Sequence, residues 1–220
     1  MKSEVRSQKS EKERIVCFAV KEEAAPFRKI AAGKSGVSIL ITGVGQRNTK
    51  RAIRDALKNE TTDLVLSCGF AGGLNPELKT GAIVFSAGDS GLASALEKLG
   101  ARLVRFHCAE KIATTISEKE KLRRETGADA VEMESQVIET VCREQNIPCA
   151  TVRVILDTAG EGLPLNFNSI MNARQEIDFG KLALTLVKSP GKIPSLIRLQ
   201  KQSKVAATKL AQVLAKVIQL

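Results

Sequence analysis

Short aliphatic runs alternate with helical segments along most of the 220-residue chain, and this alternation restricts the fold more than any other feature. The strand-like runs include IVCFAV (15–20), VSILITGVG (37–45), DLVLSCG (63–69), GAIVFSA (81–87) and CATVRVILD (149–157). Strands that are aliphatic throughout must be covered on both faces. Helices between the strands supply that cover, so the pattern predicts an α/β fold around a central sheet.

Further elements are expected between these strands. The Gly-rich segment FAGGLNPELKT (70–80) is predicted to be the turn between two strands, and ARLVRFHCA (101–109) is predicted to be one strand. ADAVEM (128–133) has strand character and leads into a helix. Periodic apolar positions predict the helices, which are expected near residues 22–30, 46–59, 90–99, 117–126 and 134–144, and in a segment that ends near 187.

Positive charge is concentrated at the C-terminal end of the chain. The formal net charge is +10, and residues 188–220 include seven basic side chains and no acidic one. The first 14 residues are charged throughout and lack the apolar run of a secretory signal. We therefore expect a charged segment over 1–14, an α/β domain over 15–187, and a basic amphipathic helix over 188–220.

The last helix is expected to run from about Ser195 to the end of the chain. Its apolar or small positions recur at alternating steps of three and four residues, which is the pattern of a helix–helix seam. These positions are Leu196, Leu199, Ser203, Ala206, Leu210, Val213, Val217 and Leu220. Two interpretations are open: the helix packs on the body or on a partner subunit, or it lies on an anionic membrane surface.

Cysteine, histidine and hydropathy patterns exclude several classes of site. The five cysteines are odd in number and form no CxxC pair, which predicts reduced thiols in a cytoplasmic protein. His107 is the single histidine, so a histidine-based metal cluster is excluded, and we expect neither a metal nor an organic cofactor. No stretch approaches the roughly 18 consecutive apolar residues of a transmembrane helix.

Acidic side chains stand at the ends of three expected strands. Glu22 and Glu23 follow the first strand, and Asp157 ends the last one. Glu132 and Glu134 frame the end of ADAVEM. Open α/β sheets place their ligand-binding groups at the carboxyl ends of strands, so we expect these acids at one edge. Each acid alone also suits a helix start, where negative charge is favourable, and this interpretation stays open.

Two glycine-containing turns follow aliphatic strands in TGVGQRN (42–48) and CGFAGG (68–73). Bare backbone N–H groups at such turns can approach a ligand closely. Neither turn is a dinucleotide-binding fingerprint, and the chain contains no GxxxxGK[ST] motif. The glycines therefore indicate access to a site without identifying its ligand.

Five segments together resemble one family. FAVKEEAAPF, ITGVGQRN, LSCGFAGGLNPELKTGAIVFS, AVEMES and VRVILD occur in this order over most of residues 15–157. They resemble the purine nucleoside phosphorylase superfamily, and most closely its 5′-methylthioadenosine/S-adenosylhomocysteine nucleosidase type. The compact middle and ILDTAGEGLPLNF are similar to the hopanoid-associated phosphorylase branch, whose members are linked to removing adenine from adenosylhopane. The resemblance implies a three-layer α/β fold with a mixed central sheet and a C-terminal helical extension.

The resemblance also implies catalytic roles for matching residues. Glu23 matches the acid that activates the attacking water. Asp157 matches the general acid that protonates N7 of the leaving purine. Met133 and Glu134 match the pair that packs on the ribose and hydrogen-bonds its hydroxyls. The expected activity is a purine nucleosidase that cleaves the N-glycosidic bond of an adenosine-type nucleoside and releases adenine.

Other matching residues have less specific roles. Ala71 and Gly72 match the backbone wall beside the base, and Glu132 matches a carboxylate near the base pocket. Arg153 matches an arginine that precedes the general acid, for which a structural role and a ligand contact are both open. Gly45 falls in the region of the nucleophile or phosphate.

Two departures from the family pattern bear on the nucleophile. Ser67 stands where bacterial hexameric phosphorylases have an arginine, and Phe70 stands where a serine contacts phosphate or water. The loss of a cation and a hydroxyl favours hydrolysis over phosphorolysis. Arg47 keeps phosphate contact open, so a phosphorylase is the alternative activity.

The segment 87–129 is shorter than in the nucleosidases, so the loops that clasp the base and the 5′ group are expected to be truncated. An open 5′ side admits a bulky or lipid-linked substituent, or it indicates a non-catalytic nucleoside-binding protein. The basic tail raises a nucleic-acid partner as a third option, which the absence of stacking aromatics argues against. The expected partners are a nucleoside substrate, phosphate in the alternative activity, other copies of the chain, and a membrane surface contacted by the C-terminal helix.

Overall fold

The computed structural model describes residues 13–58 and 62–219. The charged segment expected over 1–14 lies outside the described residues except for Glu13 and Arg14, and Arg14 begins the first strand. None of the helices in the described part of the chain is both long enough and apolar enough to cross a membrane.

In the part of the chain that the structure describes, eight strands form one mixed sheet, the arrangement that the family resemblance implies. The path through the sheet runs β2–β1–β3–β8–β4–β5, with β7 paired to β3 and β6 paired to β7. Strand β8 is parallel to β3 and antiparallel to β4, while β7 is antiparallel to β3. The strands are β1 (Arg14–Phe18), β2 (Val37–Ile41), β3 (Leu64–Gly73), β4 (Ile83–Ala87), β5 (Arg102–Leu103), β6 (Phe106–Cys108), β7 (Ala130–Glu132) and β8 (Cys149–Asp157).

Helices cover both faces of the sheet and give the three-layer arrangement. Phe27 and Leu210 belong to the large apolar cluster on one face, and Ile53 and Ile138 to the cluster on the other face. The helices are α1 (Lys21–Ala31), α2 (Gln46–Ala56), α3 (Ser90–Lys98), α4 (Ile116–Thr126), α5 (Ser135–Glu144), α6 (Phe167–Ile170), α7 (Phe179–Lys188) and α8 (Ile193–Val217), with a 3₁₀ turn at Pro190–Lys192 between the last two. The predicted fold class is confirmed.

Strand β3 corrects the prediction of a turn beginning at Phe70. The strand continues through Gly73, because Gly72 and Gly73 pair with β7 while Phe70 and Ala71 continue the pairing with β8. Hydrogen bonds on both sides of the strand outweigh the local preference of glycine for turns. The chain turns only after Gly73, where the backbone N–H of Leu74 donates to the backbone carbonyl of Asp129.

The segment 101–109 also differs from its prediction as one strand. Arg102–Leu103 pairs with β4, whereas Phe106–Cys108 pairs with β7. The backbone N–H of Arg105, between the two, donates to the Asp129 carboxylate at 3.1 Å. A change of partner strand therefore divides the apolar run into β5 and β6.

The C-terminal helix α8 packs on the body through its second half. Its buried side chains include Ala207, Ala211 and Leu214, which lie outside the predicted seam, alongside the predicted Ala206 and Leu210. The stripe is thus broader than a coiled-coil seam and suits a helix lying on a core. Predicted seam positions nearer the N-terminus of the helix are only partly buried, and Leu220 lies outside the described residues.

Candidate active site

The ends of β1, β3, β7 and β8 bring several predicted site residues together at one sheet edge. Glu23 lies in the first turn of α1, directly after β1. Glu132 ends β7, and Glu134 immediately precedes α5. Arg153 and Asp157 lie on β8, whose parallel neighbour is β3. This is the edge at which open α/β sheets bind ligands.

Arg153 is the centre of a buried cluster of polar groups. Its side chain is almost fully buried, and its Nη2 donates to Glu132 Oε2 at 2.6 Å and to Ser67 Oγ at 3.1 Å. Nη2 also lies 3.5 Å from Glu134 Oε2, and Nη1 donates to the carbonyl of Cys68 at 2.9 Å. Protein groups therefore occupy both terminal nitrogens of the guanidinium, which favours the structural interpretation of Arg153.

The charge of Arg153 is fixed by its neighbours. Burial alone would lower the pKa of Arg153, but the carboxylates of Glu132, Glu134 and Glu23 raise it above its usual value. A guanidinium in this setting stays charged at any physiological pH. The charged guanidinium of Arg153 therefore lies among the side chains of three glutamates.

Glu132 is committed to supporting contacts. Its Oε2 accepts hydrogen bonds from the backbone N–H groups of Glu134 at 3.0 Å and Ser135 at 2.8 Å, besides the bond from Arg153. Its Oε1 accepts from Ser135 Oγ at 2.6 Å. Both carboxylate oxygens of Glu132 therefore accept hydrogen bonds from the protein. These bonds fix the start of α5 and the position of Arg153.

Glu134 has one firm partner and one weak one. Its Oε1 accepts from the backbone N–H of Gly45 at 2.9 Å. The pKa of Glu134 is raised to about 7: burial is the main cause, Glu132 and Glu23 add to the rise, and Arg153 and the Gly45 N–H oppose it. The side chain therefore exchanges a proton near neutral pH, and its Oε2 is the least tightly held carboxylate oxygen of the cluster.

Glu23 is held by backbone donors from two strands. Its Oε1 accepts from the N–H of Phe70 at 3.0 Å, and its Oε2 accepts from the N–H of Ala19 at 3.2 Å. Burial raises the pKa of Glu23, with Arg153 and these backbone groups opposing the rise. A carboxylate with a raised pKa is a better proton acceptor, which suits a general base.

Phe70 contributes its backbone to this cluster, and its ring packs into the apolar cluster on the other side of the strand. The preceding residue must be small. A Cβ at Gly69 would lie 2.6 Å from Arg153 Nη1 and 3.0 Å from each Glu23 carboxylate oxygen, and its φ is +146°. Glycine at this position allows the Glu23 carboxylate and the Arg153 guanidinium both to approach the backbone of β3.

Asp157 lies further along the same edge and has a partner that the sequence analysis missed. Lys119, from α4, contacts Asp157 Oδ2, and its ammonium also donates to the carbonyls of Thr158 and Glu161 at 2.7 Å each. The Lys119 side chain is fully buried. Nothing in the strongly polar α4 sequence ISEKEKLRRET distinguishes this lysine from its solvent-exposed neighbours.

The acid itself is mostly buried. Burial raises the pKa of Asp157, Lys119 opposes the rise, and Glu161 adds to it. A Cβ at Gly72 would lie 3.5 Å from Asp157 Oδ2. The bare backbone of Gly72 and the buried Ala71 therefore line β3 next to the acid. Glu23 adjoins Gly69 and Asp157 adjoins Gly72, two positions of β3 that are three residues, or roughly 10 Å of strand, apart.

The remaining predicted residues divide into two groups. Met133 is buried beside Glu134, and Gly45 reaches the cluster through its N–H donation to Glu134. Arg47 lies on the exposed side of the first turn of α2 and forms no hydrogen bond or ion pair with any residue that the structure describes. Arg47 is therefore outside the buried cluster.

A loop before α7 covers the glycine turn and was also missed. A Cβ at Gly45 would lie 1.7 Å from Gln175 Oε1, which is buried and has no hydrogen-bond partner among the described residues. Gln175 has a positive φ of 60°, and the neighbouring Arg174 carbonyl accepts from Asn48 Nδ2 at 2.9 Å. Only the folded chain brings these distant segments together.

Comparisons with known proteins place this edge in a known architecture. A sequence model of the phosphorylase superfamily matches residues 85–188. The native structure of futalosine hydrolase from Helicobacter pylori strain 26695 superposes with a TM-score of 0.73 at 14% identity, covering 95% of this chain and 98% of that one. The chain has the phosphorylase-superfamily fold. The resemblance read from the sequence is confirmed at the level of the fold, and the superfamily's sequence model supports it over residues 85–188.

Two further structures show the same fold. A Helicobacter pylori 5′-methylthioadenosine/S-adenosylhomocysteine nucleosidase, in complex with a pyrrolidine inhibitor, has a TM-score of 0.72 at 15% identity and covers 95% of this chain and 98% of its own. A putative nucleosidase of that type from Francisella philomiragia has a TM-score of 0.69 at 16% identity, covering 95% and 99%. Among curated proteins, the chain has no match.

Within the phosphorylase-superfamily fold, a groove of about 310 Å³ opens beside Asp157. The loop 161–164 forms one wall, and Ser195, Arg198 and Gln202 from the start of α8 form the other. A second cavity, of about 380 Å³, lies near Leu64 and is lined by Asp63 and Asp89, which are not among the predicted site residues. The groove beside Asp157 adjoins one of the predicted catalytic residues.

Proposed function

We propose that the chain is an N-ribosyl hydrolase that cleaves the N-glycosidic bond of an adenosine-type nucleoside and releases adenine. The observation that carries this proposal is the arrangement of acids along β3. Glu23 and Glu134 lie near Arg153, and Asp157 lies against Gly72, three residues further along β3 than the Gly69 that adjoins Glu23. We assign the sugar to the first group and the base to the second.

The chemistry of the reaction matches this arrangement. When the bond from C1′ to N9 breaks, its electron pair goes to the purine, and positive charge develops on the ribose. Asp157 gives a proton to N7 of the leaving base, and Glu23 accepts a proton from the water whose oxygen bonds to C1′. Glu134 accepts hydrogen bonds from the ribose hydroxyls, with Met133 packed against the sugar. The negative groups of the cluster stabilise the developing cation.

The charges of the cluster support water over phosphate as the nucleophile. Arg153 already shares its terminal nitrogens with Glu132, Glu134, Ser67 and a backbone carbonyl. Arg47 lies on an exposed helix surface. A phosphate dianion would therefore approach buried carboxylates beside a guanidinium whose terminal nitrogens are already engaged, with only the Arg153 Nε–H left without a partner among the described residues. Repulsion between like charges makes such a site unfavourable.

Related proteins support an adenosine-type substrate. One solved structure with this fold holds 5′-methylthioadenosine in the active site of a Helicobacter pylori nucleosidase variant, at 15% identity to this chain. We extend the proposal to a nucleoside with a bulky or lipid-linked 5′ group, such as adenosylhopane, because of the sequence similarity to the hopanoid-associated branch. Association into homo-oligomers stays a prediction.

A membrane surface fits the outer side of α7 and α8. Of the ten large hydrophobic side chains that are exposed among the described residues, seven lie between residues 177 and 205, including Phe179 at 78% and Val187 at 79%. Residues 179–219 contain eight basic side chains and no acidic one. Exposed apolar groups interleaved with lysines are typical of helices that lie on anionic bilayers. We propose peripheral contact there for a cytoplasmic protein.

Adenine release tests the activity directly. The protein is incubated with 5′-methylthioadenosine and with 5′-deoxyadenosine, with and without phosphate, and free adenine is quantified. We expect release that does not depend on phosphate, and Asp157→Asn should lower kcat by about 10²–10⁴-fold because the leaving base loses its proton donor. Asp55→Asn, at an exposed position on α2, is the matched control and should retain full activity.

The alternatives give different results in the same assay. Turnover that requires phosphate and yields a ribose 1-phosphate would establish a phosphorylase. Nucleoside binding measured by calorimetry, without release of adenine, would establish a non-catalytic binding protein. An unchanged rate in Asp157→Asn would show that another group protonates the base.

A further inference from the structure

Lys119 is a buried cation in a position that the proposed reaction does not yet use. Its side chain is fully buried, and its three acceptors are the Asp157 carboxylate and the carbonyls of Thr158 and Glu161. Removing an ammonium group from water is costly unless it is paired and hydrogen-bonded. The three acceptors satisfy all three of its N–H donors. The ammonium group at the end of β8 is therefore buried with an acceptor for each of its N–H groups.

The contact leaves one side of the Asp157 carboxylate open. Lys119 engages Oδ2, whereas Oδ1 forms no hydrogen bond with any residue that the structure describes. The Asp157 side chain remains 13% exposed, and it lines the groove beside the start of α8. One oxygen is thus anchored, and the other is available to a ligand.

We propose that Lys119 is a positioning residue for base release: it acts through Asp157, holding one carboxylate oxygen so that the other faces the leaving purine. The proposal rests on the nucleosidase function proposed above and deepens it. Lys119 also holds the turn that follows β8, because it donates to two carbonyls within Thr158–Glu161. A rigid turn fixes the direction of the acid, and small displacements of reacting groups lower rates strongly.

Three charged groups face Asp157 from the elements around it. Lys119 comes from α4, Glu161 from the turn after β8, and Arg198 from the opposite wall of the groove on α8. Burial raises the pKa of Asp157, and Lys119 is the main group that opposes this rise. Removing the Lys119 charge should therefore raise the pKa of Asp157 further. The alkaline limb of kcat, which reports an acid that must be protonated, should then move to higher pH.

Two substitutions separate the charge of Lys119 from its hydrogen bonds. Lys119→Met removes both, while Lys119→Gln removes the charge and keeps a donor for the turn. We expect Lys119→Met to lower kcat by about 10²-fold because the acid loses its orientation. Both variants should move the alkaline limb upward. Lys121→Met, on the exposed side of the same helix, is the control and should change neither quantity.

A double-mutant cycle tests whether Lys119 acts through Asp157. In the Asp157→Asn background, Lys119→Met should change kcat by less than about twofold, because interacting residues are not additive. An equal loss in both backgrounds, with an unmoved alkaline limb, would show that Lys119 only stabilises the fold and would overturn the proposal.

A measurement without substrate distinguishes failure of this proposal from failure of the proposed function. The ¹³C carboxyl resonance of Asp157, assigned by its loss in Asp157→Asn, is followed over pH in the wild type and in Lys119→Gln. An upward shift of its midpoint in the variant supports the pairing even if no nucleoside is turned over. Coincident titration curves would overturn the pairing even if adenine is released.

Discussion

At the scale of single residues, the three glutamates around Arg153 differ in what they leave free. Glu132 uses both oxygens on protein donors, and Glu23 accepts one backbone N–H on each oxygen. Glu134 keeps Oε2 at 3.5 Å from Arg153, which is at the limit of a hydrogen bond. The same side chain therefore has all its hydrogen bonds within the protein at Glu132 and Glu23, and at Glu134 it keeps one oxygen able to accept from a new donor.

The ionisation of Glu134 predicts a pH dependence for substrate capture. Burial raises its pKa to about 7, so the carboxylate form that accepts ribose hydroxyls becomes populated as the pH rises through that value. The ratio kcat/KM should therefore have an ascending limb near pH 7, since it reports the free protein. Glu134→Gln should remove this limb and lower kcat/KM by roughly 10- to 100-fold, the effect of losing a charged hydrogen bond.

The control for this prediction is Glu139→Gln, an exposed position on α5. It should leave both the limb and the rate unchanged. An ascending limb that persists in Glu134→Gln would assign the titration to Glu23 or another acid and contradict the ribose role of Glu134.

The sequence located some of these residues and not others for a physical reason. Glu23 and Asp157 stand at the ends of β1 and β8, which both run parallel to β3, so these ends point to one edge of the sheet. Glu134 follows β7, which runs antiparallel to β3, and it reaches the cluster because β7 pairs with the last residues of β3. Lys119 and Gln175 enter the site from segments far along the chain, by contacts that only tertiary packing creates. Their local sequences resemble ordinary solvated segments, so no pattern in them indicates a role.

At the scale of elements, local signals failed where long-range pairing dominates. The glycines of FAGG favour a turn, yet β3 continues through them because β7 and β8 supply partners on both sides.

The last helix shows the same principle. Its steps of three and four residues predicted a narrow seam, but Ala207 and Ala211 are buried as well, so a wider face packs on the body.

The packing of α8 predicts which half of the helix stabilises the protein. Leu210 is fully buried in the apolar cluster that also contains Phe27 and Val152. Leu210→Ala should lower the free energy of unfolding by about 2–5 kcal/mol, since a buried cavity is left. Val205 is 71% exposed on the same helix, so Val205→Ala should change the free energy of unfolding by less than about 0.5 kcal/mol.

Urea denaturation measures both variants, and their m-values should match that of the wild type. Equal, small effects for Leu210→Ala and Val205→Ala would mean that α8 is detached from the body in solution.

At the scale of the whole molecule, charge and exposed apolar surface occur together. Helix α8 presents Ile193 and Ile197 next to Lys201 and Lys204, because positions three or four residues apart share a helix face. A second copy of the chain would bring like charges together across a symmetric contact. An anionic lipid surface complements the same face, and it adjoins the groove beside Asp157 through Arg198.

Vesicle binding tests this surface in the full chain. We expect the protein to sediment with vesicles that contain phosphatidylserine and to stay in solution with neutral phosphatidylcholine vesicles. Lys201→Gln with Lys204→Gln removes two charges worth about 1 kcal/mol each near such a surface, so partitioning should weaken by roughly 30-fold. The control pair, Lys50→Gln with Arg51→Gln, removes two exposed charges from α2 and should bind like the wild type, provided that α8 carries the contact.

Salt and association state decide among the remaining outcomes. Binding through charges should weaken between 50 and 300 mM salt as screening shortens to about 6 Å, by the inverse-square-root dependence of the Debye length. If both double variants lose vesicle binding equally, the protein is attracted to the vesicles by its net charge alone, and α8 is not a specific contact surface. Sedimentation velocity that shows a dimer in the wild type and a monomer in Ile197→Gln would assign the same face to a second copy of the chain, and the membrane proposal would be wrong.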